Sequence, residues 1–125
     1  MTYIFDENTS PFLVGFLNHI GARDVCHLFS KFERGTLDPD LLPVIAREGL
    51  ILVTNDQAMR KDHRDVLTQS GNRVIFLPPA WDDLGKWGQA EFIIRRWRQI
   101  ETQVRNNRSY VMMRLNKRGD LTNVI

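Results

Sequence analysis

Short unbroken apolar runs alternate along this chain with stretches where apolar residues recur three and four positions apart. The runs Tyr3-Ile4-Phe5 and Leu50-Ile51-Leu52-Val53 are apolar and β-prone, and Arg23 to Leu28 and Arg73 to Leu77 read as two further strands. They predict strands over Thr2 to Asp6 and over the other three stretches. Between the first two, Phe12, Leu13, Phe16, Leu17 and Ile20 keep helical spacing after a Ser10-Pro11 start and before Gly21. Serine caps a helix, and proline fits its first turn because it lacks only an amide that has no partner there. Asp38-Pro39 repeats that start, Leu41, Leu42, Ile45 and Ala46 supply an apolar face, and Gly49 ends the element. Arg60 to Gln69 reads as a charged helix stopped by Gly71. A long helix follows, starting between Asp82 and Gln89 and running to about Asn106, with Ala90, Ile93, Ile94, Trp97, Ile100 and Val104 as its buried stripe. Ser109 to Arg114 suits a last strand. Residues 116–125 read as a polar C-terminal tail with no clear period.

Strands alternating with helices through short loops predict an α/β fold: three layers, a mainly parallel sheet with helices on both faces, and one domain over 1–125. Leu50 to Val53, continuously apolar, is expected at the centre of the sheet, covered on both sides. In such sheets ligands gather beyond the C-terminal ends of the strands.

Composition narrows the class. Hydrophobic residues make up 42% and charged residues 26% of the 125, enough apolar matter for a core and too much for disorder. No apolar run is long enough to span a bilayer, and the N-terminus has no signal-like stretch. With Cys26 the one cysteine, no disulfide forms within the chain. A cytoplasmic protein is expected, with no membrane partner. The net charge of +2 is unevenly placed: −4 through residue 85 and +6 from Lys86 onward. An acidic part beside a basic part suits a metal next to a polyanion, although an arginine-rich solvated helix explains the second part as well.

The acids carry the chemistry. The first strand delivers Asp6 and Glu7, the third delivers Asp56, and Asp38 and Asp40 open the helix between them. Several carboxylates in one crevice raise one another's pKa or call for a cation. Magnesium or manganese prefers oxygen ligands and keeps waters, which leaves room for phosphate. Such an ion activates water and neutralises charge on a phosphodiester. Structural roles compete: Asp38 as a helix cap, Asp40 as a first-turn acid favoured by the helix dipole, Asp56 as turn punctuation. Asp6 resists that explanation, because a carboxylate closing a buried strand loses its hydration unless something pairs with it.

Asp6-Glu7-Asn8 before a Ser-Pro helix start, then Asp38-Pro39-Asp40-Leu41-Leu42, Ala46 and Leu52-Val53-Thr54-Asn55-Asp56, resemble the opening and middle of PIN-like domains. The resemblance covers roughly the first two-thirds of the chain. It implies a Rossmann-like sheet and a magnesium- or manganese-dependent ribonuclease, in many small members the toxin of a toxin–antitoxin pair neutralised by a protein partner. Carried over, it makes Asp6, Asp38 and Asp56 the metal acids, with Asp40 the nearest substitute for a further acid and Glu7 and Asn8 in support. Thr54 and Asn55 would orient the acids by hydrogen bonds. Where the family often has an acid and an aromatic past this stretch, the chain has Ala58 and Met59; Asp62 or Asp65 would have to compensate from the next helix.

Basic residues interleaved with an aromatic bind nucleic acid, which makes Arg95, Arg96 and Arg98 around Trp97 the candidate RNA contacts, with core packing the better expectation for Trp97 itself. His19, His27 and His63 lack metal spacing and are expected to be structural or exposed. Cys26 is expected in the core. Trp81 and Trp87 flank the entry to the long helix, as local packing or as a partner surface. A homodimer fits the chain too. Two other functions are consistent with the residues. One is a receiver-like phospho-switch with Asp6-Glu7, an acceptor Asp56 and Lys117, which leaves Asp38 and Asp40 idle. The other is a PIN-like RNA- or protein-binding module without catalysis.

Overall fold

A computed structural model describes residues 1–36 and 38–124, the side chain of Asp38 excepted. Among these, six strands form one sheet: β1 (Thr2–Phe5), β2 (Val25–His27), β3 (Leu50–Thr54), β4 (Arg73–Phe76), β5 (Met112–Leu115) and β6 (Leu121–Asn123). Their order is β2-β1-β3-β4-β5-β6. The first five run parallel, and β6 returns antiparallel to β5. The helices are α1 (Pro11–His19), α2 (Asp38–Arg47), α3 (Met59–Asp62), α4 (Arg64–Ser70) and α5 (Gly85–Asn106), with 3-10 turns over Leu28–Ser30 and Trp81–Leu84. The predicted α/β architecture, mainly parallel with helices on both faces, is what the chain forms.

Strand alternation divides the core in two. Tyr3, Phe5, Ile51, Val53 and Ile75 face the side packed by α1 and α5, where Leu13, Leu17, Ile93, Trp97 and Ile100 meet them. Ile4, Leu50, Leu52, Val74 and Phe76 face the side packed by α2 and α4, through Leu41, Leu42, Ile45 and Leu67. Every residue of β3 is buried, as its unbroken apolar run requires. Trp97 is 3% exposed and packs edge-on against Tyr3 at 4.9 Å, so it belongs to the core.

Three expectations need correction. The charged helix is two helices, α3 and α4, broken at His63, whose φ of −120° leaves the helical region. The tail contains β6. Its turn is built by Asn116, whose Oδ1 accepts the amides of Arg118 and Asp120 at 2.9 Å each, and by Gly119 at φ +87°. Gln103 then ties the hairpin to α5, donating to the Gly119 carbonyl at 2.6 Å and accepting the Leu121 amide at 2.8 Å. Cys26 is half-buried rather than enclosed.

β1 is the point where the connections reverse: the chain leaves it to one side for β2, then returns past it to place β3 on the other. The crevice between the C-terminal ends of β1 and β3 is where this class of sheet binds ligands. Phe5 pairs with Val53 there, and the next residues on each strand are Asp6 and Thr54.

Candidate active site

Asp6 leaves β1 on the face of Ile4, against the α2 layer. Its backbone stays in register: the amide donates to the Val53 carbonyl at 3.1 Å, and its own carbonyl accepts the Thr9 amide at 3.2 Å. Its side chain is 6% exposed. The Thr54 hydroxyl donates to Oδ2, and Oδ1 is buried with no hydrogen-bond partner in the protein. Burial lifts the carboxyl pKa to about 6; Thr54 and the Asn8 amide pull it down, while the charges of Asp56 and Glu7 push it up.

Thr54 couples the two strands. Its oxygen also accepts the Asp56 amide at 3.0 Å, so one fully buried hydroxyl holds the Asp6 carboxylate and the backbone of Asp56. Asp56 Oδ1 accepts the amides of Ala58 and Met59 at 3.1 and 3.2 Å, fixing the turn into α3. Asp56 is thus turn punctuation and pocket wall at once.

Asp6, Glu7, Asn8 and Asp56 line one cavity of about 70 Å³, closed below by Leu42, Ile45, Leu52 and Met59. Glu7 and Asn8 are exposed at its rim. The donors are oxygens on an apolar floor, where charge is poorly screened. Asp6 and Asp56, with Glu7 at the rim, are the acids that line the cavity. Among the described residues no three His, Cys, Asp or Glu side chains form a metal-binding group.

The other expected site residues divide. The side chain of Asp38 lies outside the described residues. Asp40 is exposed on the first turn of α2 and does not line the cavity. Asn55 does not orient Asp6 or Asp56: its Nδ2 donates to Asp82 Oδ1 at 2.9 Å, because an odd-numbered residue past Val53 faces the α5 side. Asp62 and Asp65 are exposed and stand outside the cavity. Arg95, Arg96 and Arg98 lie on α5, across the sheet from the acids. Arg95 pairs with Glu91 at 3.5 Å, and the Arg96 guanidinium sits 4.3 Å over the Phe92 ring. The three are therefore not the neighbours of the acids that their charge suggested. Lys117 is exposed in the β5–β6 turn, and no lysine lines the cavity beside Asp56 among the described residues. Trp81 is buried, while Trp87 is 92% exposed.

His27, expected to be structural or exposed, is buried and has a definite task. Its Nδ1 accepts the Phe29 amide at 3.1 Å, so the ring proton resides on Nε2, which donates to the Thr9 carbonyl at 2.7 Å. That bond ties β2 to the loop carrying Glu7 and Asn8. A histidine closing a short strand was the available signal; its partner, 18 residues away, was not.

A family model described as a PIN-like domain matches residues 1–79 of this chain. The chain belongs to the PIN-like domain family. The match ends just past β4 and so contains all the strands that build the acidic crevice. Comparison with curated proteins gives no match, and neither does comparison with solved structures.

Proposed function

We propose that the protein is a metal-dependent endoribonuclease whose centre is the Asp6–Asp56 crevice. The observation that carries this reading is the buried Asp6 carboxylate, with one oxygen held by Thr54 and the other unpartnered, facing a cavity that Asp56 shares. An unpaired buried carboxylate is costly to keep, and a hard divalent cation is the partner that oxygen donors on two strands suit. Magnesium or manganese bound there supplies positive charge at a scissile phosphate and makes water acidic. Asp38 at the start of α2 is the further acid in this reading, and Asp40, outside the cavity, assists through water.

The chain's own residues do the positioning. Thr54 fixes Asp6 through Oδ2 and leaves Oδ1 without a hydrogen bond. The Ala58 and Met59 amides fix one oxygen of Asp56. Leu42, Ile45, Leu52 and Met59 exclude water from the floor, which strengthens every charge interaction above them. Glu7, exposed at the rim, stands where it can take a proton from an incoming group.

The toxin role and its protein antitoxin belong to the same proposal. The support for a protein partner, a second copy included, is the exposure of Phe12, Phe16 and Trp87 on the α1/α5 side. Cytoplasmic action is part of this reading, and no described helix is long and apolar enough to cross a membrane.

The experiment is incubation of the full chain with mixed cellular RNA and magnesium or manganese. Cleavage by the unmodified protein, abolished in Asp6→Asn and in Asp56→Asn, supports the reading. Cleavage that survives both substitutions removes this site. RNA binding without cleavage or metal affinity replaces the enzyme with a binding module.

A further inference from the structure

The arginines of α5 face away from the acids, so any polyanion reaching the crevice needs other contacts. A second concavity, of about 940 Å³, runs along α3 and α4 on the same side of the sheet as the crevice. Its rim carries Arg60, Lys61 and Arg64, and its floor is Val111, Met112 and Val124. The two concavities share α3 as their divider: Met59 closes the acidic cavity, and the next residue, Arg60, opens the basic groove.

Three cations face one lining acid, Asp65. The ion pairs between Lys and Asp or Glu or between Arg and Asp or Glu among the described residues are Lys31–Glu48, Arg95–Glu91 and Arg118–Asp120, and none engages Arg60, Lys61 or Arg64. Met112 of β5 is buried in the same core cluster as Leu42 and Leu67, and the half-buried Val111 and Val124 pack against that cluster, which makes the floor apolar. Cations above an apolar floor match a ligand with a charged backbone and flat apolar faces.

We propose that this groove binds single-stranded RNA, with Arg60, Lys61 and Arg64 contacting phosphates and the strand passing over α3 to the Asp6–Asp56 crevice. The proposal rests on the ribonuclease reading for the identity of the polyanion. Each phosphate contact to a single strand contributes roughly 0.7 to the slope of log affinity against log salt, so three contribute about 2.

The test is fluorescence anisotropy of a labelled single-stranded RNA oligonucleotide with the full chain, in EDTA, over a range of salt. The triple variant Arg60→Gln, Lys61→Gln, Arg64→Gln is expected to bind at least tenfold more weakly, with its slope lower by about 2. Arg60→Lys with Arg64→Lys keeps the charges and most of the affinity. Arg95→Gln with Arg98→Gln leaves both quantities unchanged. Should the triple variant melt early, each single variant lowers the slope by roughly 0.7 and carries the test. Unchanged affinity and slope in the triple variant overturn the groove. So does absence of RNA binding by the unmodified chain, or a preference for a polyglutamate peptide over RNA. Groove-dependent binding without any cleavage keeps the groove and ends the nuclease reading. Cleavage with the same KM in the triple variant keeps the nuclease and ends the groove.

Discussion

The hydroxyl of Thr54 donates to Asp6 Oδ2 across the β1–β3 pair, and the same oxygen accepts the amide of Asp56. One buried side chain thereby sets the position of two acids that are 50 positions apart in the chain. Replacing it by valine strands the Asp56 amide and removes a donor from Asp6. Thr54→Val is expected to lower stability by about 1–3 kcal/mol. Cleavage is expected to fall by roughly tenfold or more. Thr54→Ser, which keeps the hydroxyl, is expected to retain most of both. Denaturant melts and RNA cleavage rates measured side by side check this.

Asp6 makes stability depend on pH in a definite direction. Its folded pKa, about 6, lies above the ordinary value of 3.8. The contribution is therefore fully present below pH ~4 and is lost as pH rises through about 6, because the folded state must then bury a charge. Asp6→Asn is expected to be more stable than the parent at pH 7.5 in EDTA, by at most about 3 kcal/mol. Near pH 4 the gain is expected to shrink toward zero. Calorimetry at the two pH values decides; a gain that does not depend on pH contradicts the assignment.

The β5–β6 hairpin leans on α5 through a glycine. A Cβ at Gly119 would stand 3.0 Å from Arg96 Cδ and 3.2 Å from the Gln99 amide oxygen, at a φ of +87°. Gly119→Ala is expected to cost about 1–3 kcal/mol, from backbone strain and displaced side chains. Hydrogen exchange should show early opening of Leu121–Asn123 while β1 and β3 stay protected.

The exposed arginines of α5 are expected to matter little. Arg95→Gln with Arg98→Gln should change stability by no more than about 0.5 kcal/mol, since the Arg95–Glu91 pair is exposed on both sides. The pair variant should leave the cleavage rate unchanged, because both residues lie across the sheet from the crevice. A large loss of activity would bring α5 into the RNA path.

Much of this was legible in the sequence where one physical cause dominates. The runs Tyr3-Ile4-Phe5 and Leu50 to Val53 stop at polar residues, and parallel pairing of β1 with β3 brings those stops together. Ser10 caps α1 as expected, accepting the Phe12 amide at 3.2 Å. What stayed hidden depends on partners distant in the chain. β6 has three residues, of which Leu121 is the one apolar side chain, so no period announces it. Nothing at His63 signals a helix break, because it is neither glycine nor proline. Asn55 was expected to serve the acids, but strand alternation turns it toward Asp82, 27 residues on. The helical phase of α5 showed that Trp97 points inward and its arginine neighbours outward; it could not show which face of the sheet α5 covers.

The central claim is that Asp6 and Asp56 jointly hold one divalent cation. Its most direct test is calorimetric titration of the full chain with manganese at pH 7.5, beside Asp6→Asn and Asp56→Asn. One ion bound by the parent, at least tenfold weaker in each variant and weaker again in the parent below pH ~6 as Asp6 takes up a proton, is the predicted result. No binding by the parent, or equal binding by all three proteins, contradicts it.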